Sequence, residues 1–106
     1  MIIYNVTSNI EESVHEHWLI WIKEHIPQVL ASGCFTKAKL TRVLVDEHQG
    51  VTYSVQYHAK NREDLERYYN NYANALRKDA LQLFGDKVLS FRTELEVMDE
   101  YSVKFD

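Results

Sequence analysis

Apolar and polar side chains alternate from Ile2 to Thr7, with Ile2, Tyr4 and Val6 on one side and Ile3, Asn5 and Thr7 on the other. This period of two predicts a first strand. Ser13-Val14-His15-Glu16 then has the S-x-x-E form of a capping box, in which two side chains satisfy backbone N–H groups at a helix start. Val14, Trp18, Ile22 and Val29 follow at helical spacing, with Trp21 and His25 flanking the stripe. Pro27 lacks the N–H that a helix interior needs and predicts a kink or a new short helix; Gly33 is the expected stop. A second strand is expected from about Lys37 to Val45, and Asp46-Glu47-His48-Gln49-Gly50 reads as a hairpin turn. Val51, Tyr53, Val55 and Tyr57 alternate with Thr52, Ser54, Gln56 and His58 in a third strand. Asn61 is placed to cap a second helix, with Glu63 and Asp64 favoured by the helix dipole in its first turn. Its apolar stripe is Leu65, Tyr68, Tyr69, Tyr72, Leu76, Ala80 and Leu83, and it ends near Phe84-Gly85. In a fourth strand Leu89, Phe91, Thr93, Leu95 and Val97 alternate with Val88, Ser90, Arg92, Glu94 and Glu96.

The predicted order is β-α-β-β-α-β. Right-handed crossovers and one hairpin make this an α+β, ferredoxin-like plait, an antiparallel sheet with both helices on one face. Residues 1–98 form the single domain, and 99–106 are left as a tail in which Tyr101, Val103 and Phe105 alternate with Ser102 and Lys104. A chain of 106 residues has room for one domain. Twelve Lys+Arg against sixteen Asp+Glu leave a net charge of −4, which gives no general pull toward nucleic acid or anionic lipid. Apolar runs are too short to span a bilayer, and the start lacks the basic and apolar regions of a signal peptide. With Cys34 as the one cysteine, the chain reads as cytoplasmic.

Apolar-inward packing assigns Tyr4, Val6, Tyr53, Val55, Tyr57, Phe91 and Leu95 to the face under the helices. The opposite face then carries Ile3, Asn5, Thr7, Thr52, Ser54, Gln56, His58, Ser90, Arg92 and Glu94. Two such faces packed across a dyad would enclose a partly polar barrel, and the alternating tail would supply a strand to a partner's sheet edge. A homodimer is therefore expected.

Met1-Ile2-Ile3-Tyr4-Asn5-Val6, Trp18-Leu19-Ile20-Trp21, His25-Ile26-Pro27-Gln28-Val29-Leu30, Gly50 through Tyr57 and Leu83-Phe84-Gly85-Asp86-Lys87 together resemble a small bacterial family of unknown function over roughly residues 1–98. More distantly, the architecture is similar to the dimeric α+β barrel superfamily. That superfamily includes antibiotic-biosynthesis-type monooxygenases and haem-degrading oxygenases. The resemblance implies a dimer and supplies no chemistry.

Haem-degrading members resemble one another in a first-strand Asn and in a Trp and an axial His associated with the second helix. Asn5 matches the first, but residues 62–84 hold neither Trp nor His, so iron has no evident ligand and no cofactor is expected. His15 and His17, two apart on a helix, point roughly 200° apart and cannot chelate one ion; no H-x-x-x-H or C-x-x-C pair exists, and no metal is expected. Cys34 has no base or helix N-terminus in sequence to make it reactive. Trp21, Tyr69 and Tyr72 are candidates for an aromatic partner surface. An RNA-recognition motif shares the topology, but aligning residues 50–57 with its third-strand motif puts Ser54 and Gln56 where core residues are needed.

Asn5, Gln56, His58, Arg92 and Glu94 remain as candidate ligand-binding residues on the barrel face. A neutral imidazole beside a carboxylate is a workable base, and an Arg holds an anionic group. The leading expectation is a homodimeric module that binds a small molecule or a protein, without catalytic machinery. The alternative is a cofactor-independent monooxygenase or isomerase-like enzyme with His58, Arg92 and Asn5 lining its pocket.

Overall fold

The computed structural model describes residues 1–45 and 50–104. The elements are β1 (Ile2–Ile10), α1 (His15–Ala31), β2 (Lys37–Arg42), β3 (Val51–Ala59), α2 (Arg62–Asn71), α3 (Ala73–Phe84) and β4 (Val88–Glu96). Short 3-10 turns at Glu12–Val14 and Gly85–Lys87 lead into α1 and β4. The strands pair antiparallel in the order β2-β3-β1-β4, so the expected α+β ferredoxin-like plait is the observed one. The predicted turn at Asp46–Gln49 and the tail residue Phe105 lie outside the described residues. No described helix is long and apolar enough to cross a membrane.

β1 and β3 form the spine of the sheet, each with a buried apolar side. Ile2, Tyr4 and Ile10 face Ala59, Tyr57 and Val51 across the ladder. Over them pack Trp18, Ile22 and Val29 of α1, Leu65 and Tyr68 of α2, and Ala73 and Phe84 of α3. Tyr4 sits among the rings of Phe35, Tyr57, Tyr68 and Tyr69, with centroids 5.6–6.1 Å away. Those offset and tilted contacts add to simple area burial. Gly50 is required where it stands: its φ is +85°, and a Cβ there would lie 2.5 Å from the carbonyl oxygen of Ile10.

Several local expectations change. The capping box at Ser13 and Glu16 does not form, because α1 starts only at His15, after the 3-10 turn. Ser13 Oγ instead donates to Glu11 Oε1 at 2.9 Å. The start of α1 is tied down by His15 Nε2, 2.8 Å from the Tyr53 hydroxyl. Pro27 neither ends α1 nor opens a new helix. Lys23, whose carbonyl Pro27 leaves without a helical donor, is exposed. Asn61 caps α2 as expected, its Oδ1 accepting from the Asp64 N–H at 2.8 Å. The single second helix is two, broken at Tyr72, where φ is −129°. The break advances the inward stripe, so that Ala73, Leu76, Ala80 and Phe84 face the sheet while Tyr72 and Leu83 are exposed.

The largest correction concerns β4. Its register places Arg92 opposite Val6 and Glu94 opposite Tyr4, and places Phe91 opposite Thr7 and Leu95 opposite Ile3. Residues directly opposite on an antiparallel ladder share a face. Ser90, Arg92 and Glu94 therefore lie under the helices, and Leu89, Phe91 and Leu95 lie on the open face, 57%, 68% and 45% exposed. Polar partners hold this arrangement. Glu94 accepts from Arg62 at 2.8 Å and from the Tyr69 hydroxyl at 2.6 Å, and Ser90 Oγ lies 2.8 Å from Ser8 Oγ.

Candidate functional site

Helical spacing on α1 brings Trp18, Trp21, Ile22 and His25 to one face. On α3 Leu76, Arg77 and Ala80 share a face, and the strands below supply Tyr4, Val6, Ser8, Val55, Val88, Ser90 and Arg92. Between them lies a cavity of about 60 Å³, with room for several water molecules. It adjoins a wider groove of about 480 Å³ between α3 and β4, and Arg77, Ala80, Val88, Ser90 and Arg92 line both.

Two of the lining residues carry a buried polar atom with no hydrogen-bond partner among the described residues: His25 Nδ1 and Arg77 Nε. Such groups are rare in folded proteins, since losing water without a replacement costs about 1–3 kcal/mol. The His25 ring stacks on Trp21 with centroids 4.3 Å apart and planes 22° apart. Burial pushes its pKa down to about 4, against a smaller opposing pull from the Asp79 carboxylate. Arg77 Nη2 donates to the Tyr4 hydroxyl at 2.7 Å. Burial, and then the neighbouring phenol of Tyr4, push the Tyr68 hydroxyl up to about 12. Burial likewise raises Tyr57, with Tyr68 and Tyr4 adding to the shift. The Tyr57 and Tyr68 phenols therefore stay protonated at neutral pH, while His25 is neutral and only weakly basic.

The His25 shift predicts a pH dependence of stability. Its pKa is lower in the folded chain than the ordinary 6.5 of the unfolded one, so the unfolded chain binds more protons between those values. Stability is complete above about pH 6.5 and falls as pH drops toward 4, by at most about 1.4 kcal/mol per pH unit. Glu94, held below its ordinary 4.5 by the Tyr69 and Arg62 hydrogen bonds, loses its contribution only below that pH, in a separate window. Urea midpoints at pH 7 and pH 5 should differ in the parent, and most of that difference should be lost in His25→Gln, with only the smaller His58 share remaining.

The five residues singled out from sequence do not converge. Asn5 and Gln56 lie on the open face in a local network: Asn5 Oδ1 accepts from Ser54 Oγ and Gln56 Nε2, and Gln56 Nε2 also donates to Ser54 Oγ at 2.8 Å. His58 lies at the end of that face, its Nδ1 3.5 Å from Met1 Sδ, and slight burial with nearby Lys37 and Lys39 lowers its pKa. Arg92 and Glu94 are on the other side of the sheet, so neither meets His58 or Asn5. The aromatic candidates separate too: Trp21 lines the cavity, Tyr69 bonds to Glu94, and Tyr72 marks the helix break. Cys34 is buried, in the loop after α1.

His25, Arg77, Tyr4, Ser8 and Ser90 were not singled out as site residues. Two signals in the sequence point to the first pair. His25 follows Trp18 and Trp21 at i+7 and i+4, and Arg77 stands between Leu76 and Ala80 on an inward stripe. A titratable group on the core side of each helix is the visible mark.

The fold is shared with solved structures of low sequence identity. A dimeric ferredoxin-like protein from an uncultured marine organism is 16% identical, with a TM-score of 0.75, over 94% of this chain and 97% of its own. An ethyl tert-butyl ether (EthD) family protein from Bacillus halodurans is 16% identical at a TM-score of 0.66, over 92% of this chain and 100% of its own. A point mutant of SnoaB, a cofactor-independent oxygenase from Streptomyces nogalater, is 9% identical at 0.67, over 93% and 95%. No curated protein matches the chain in sequence. Residues 1–98 match the domain of unknown function DUF4286, and the chain belongs to that family.

Proposed function

We propose that this chain is a homodimeric small-molecule-binding protein, with one ligand held in each subunit between the helices and the sheet. The observation that carries this reading is the cavity wall with the unpartnered His25 Nδ1 and Arg77 Nε. A ligand or trapped water that satisfies them removes a desolvation cost that the fold otherwise bears. Dimerisation is supported by the exposed Leu89, Phe91 and Leu95, a row of apolar side chains on the open sheet face. The Asn5, Ser54 and Gln56 network then lies within the barrel that two sheets enclose. The described part of the tail, residues 99–104, acts as a short segment reaching the partner; the largely exposed Tyr101 and Val103 support this. A single buried thiol suits the cytoplasm.

A cofactor-independent oxygenase, the activity that SnoaB's name carries, would use the same cavity and would need a base. His25, with a pKa near 4, is too weak to take much of a phenolic proton at neutral pH. Binding is therefore the reading put first. Native mass spectrometry of protein purified from its own source should show a dimer carrying added small-molecule mass. Ligand-free protein that no member of a broad metabolite library stabilises against heat would overturn it.

A further inference from the structure

We infer that the ligand is a small organic carboxylate with a flat apolar body, its negative group held between Arg77 and Arg92 where the inner cavity meets the outer groove. This deepens the small-molecule reading and rests on it. The first ground is charge. None of the described Asp and Glu residues lines the cavity or the groove, while Arg77, Arg92 and, in the groove, Lys78 do. Among the described residues neither Arg77 nor Arg92 forms an ion pair; the nearby Glu94 is taken by Arg62 and Tyr69. In a protein of net charge −4, two guanidinium groups lining one space with no carboxylate beside them among the described residues suit an anion.

The second ground is the wall behind them. Trp18, Trp21, Val55 and Leu76 make the interior apolar and partly aromatic, which suits a ring or an unsaturated chain. A free phosphate ion would have nothing to fill that interior. The Ser8 and Ser90 hydroxyls bond to each other and leave donor capacity for only a small polar substituent.

Trp18 and Trp21 are the two tryptophans of the chain, and both line the cavity, so intrinsic fluorescence reads its occupancy directly. The probes are benzoate, phenylacetate and cinnamate, with benzamide as the neutral isostere of benzoate and inorganic phosphate as the free anion. At least one carboxylate should quench saturably. Arg92→Gln and Arg77→Gln should each weaken it tenfold or more, without changing the response to benzamide. The Arg92 side chain is exposed, has no hydrogen bond among the described residues and lies on an edge strand, so its variant folds even if Arg77→Gln does not. Benzamide binding as tightly as benzoate would overturn the anion assignment and leave the small-molecule reading in place. Phosphate competing better than the carboxylates would overturn the organic body. No saturable response from any carboxylate below roughly 10 mM would overturn the inference, while a neutral hit from the metabolite library would still sustain the broader reading.

Discussion

Phe91→Asp should run as a folded monomer of 12.6 kDa in size-exclusion chromatography with light scattering, where the proposed dimer of the parent should run at twice that mass. Within one subunit the Phe91 ring is 68% exposed on β4, so the subunit's own core loses little when it is replaced. Packed against a second sheet, the ring would contribute about 2 kcal/mol by burial, and an aspartate in its place would have to give up water without a partner. About 3 kcal/mol per copy is a conservative sum, and twofold symmetry applies it twice. The dissociation constant then rises by about four orders of magnitude. Far-ultraviolet circular dichroism should be unchanged. A dimeric variant, or a parent that is monomeric at micromolar concentration, would show that this face is not where two copies meet.

Trp18→Ala carries the second large effect. Trp18 is 2% exposed and stacks on Tyr53 with centroids 5.2 Å apart. It also forms part of the cavity wall. Truncating a buried Trp costs about 3–5 kcal/mol, and the existing free space beside it prevents the neighbours from closing the hole. Against a total stability of about 5–15 kcal/mol, the variant should melt about 15 °C lower by circular dichroism. A fall of less than about 5 °C would mean that Trp18 is not a core residue. The two substitutions act at sites on opposite faces of the sheet, so their effects on subunit stability should add.

Much of the fold was legible because local signals agreed. Clean alternation in β1 and β3 marks both strands and their buried side, since a strand enclosed on one face must be apolar at every second residue. Asn61 signals α2 because its side chain accepts from the Asp64 N–H, a contact within four residues. Signals that depend on distant groups were less reliable. Ser13 has the right spacing for a capping box, but the 3-10 turn shifts the helix start and Glu11 takes its hydroxyl. The break at Tyr72 carries no Gly or Pro, and only the packing of Ala73 and Phe84 discloses it.

The site was less legible than the fold, and β4 is the reason. Alternation in Val88–Glu96 identifies a strand but does not say which side faces the helices. The rule that apolar residues turn inward fails on a strand whose apolar side is left open, as at Leu89, Phe91 and Leu95. His58, Asn5 and Arg92 thus share a pattern in sequence and belong to two faces, whereas His25 only flanks the apolar stripe of α1 and Arg77 carries no motif.

By itself the order of residues determined the element types, their sequence along the chain, the buried faces of β1 and β3 and the capping of α2, because each follows from interactions between near neighbours. Only the tertiary structure decided the face of β4, the break between α2 and α3, and the meeting of His25, Arg77 and Arg92 around one cavity. Those outcomes depend on which hydrogen bonds β1 offers β4 and on how α1 and α3 lie over the sheet. Such contacts join residues far apart in sequence, and no local period encodes them.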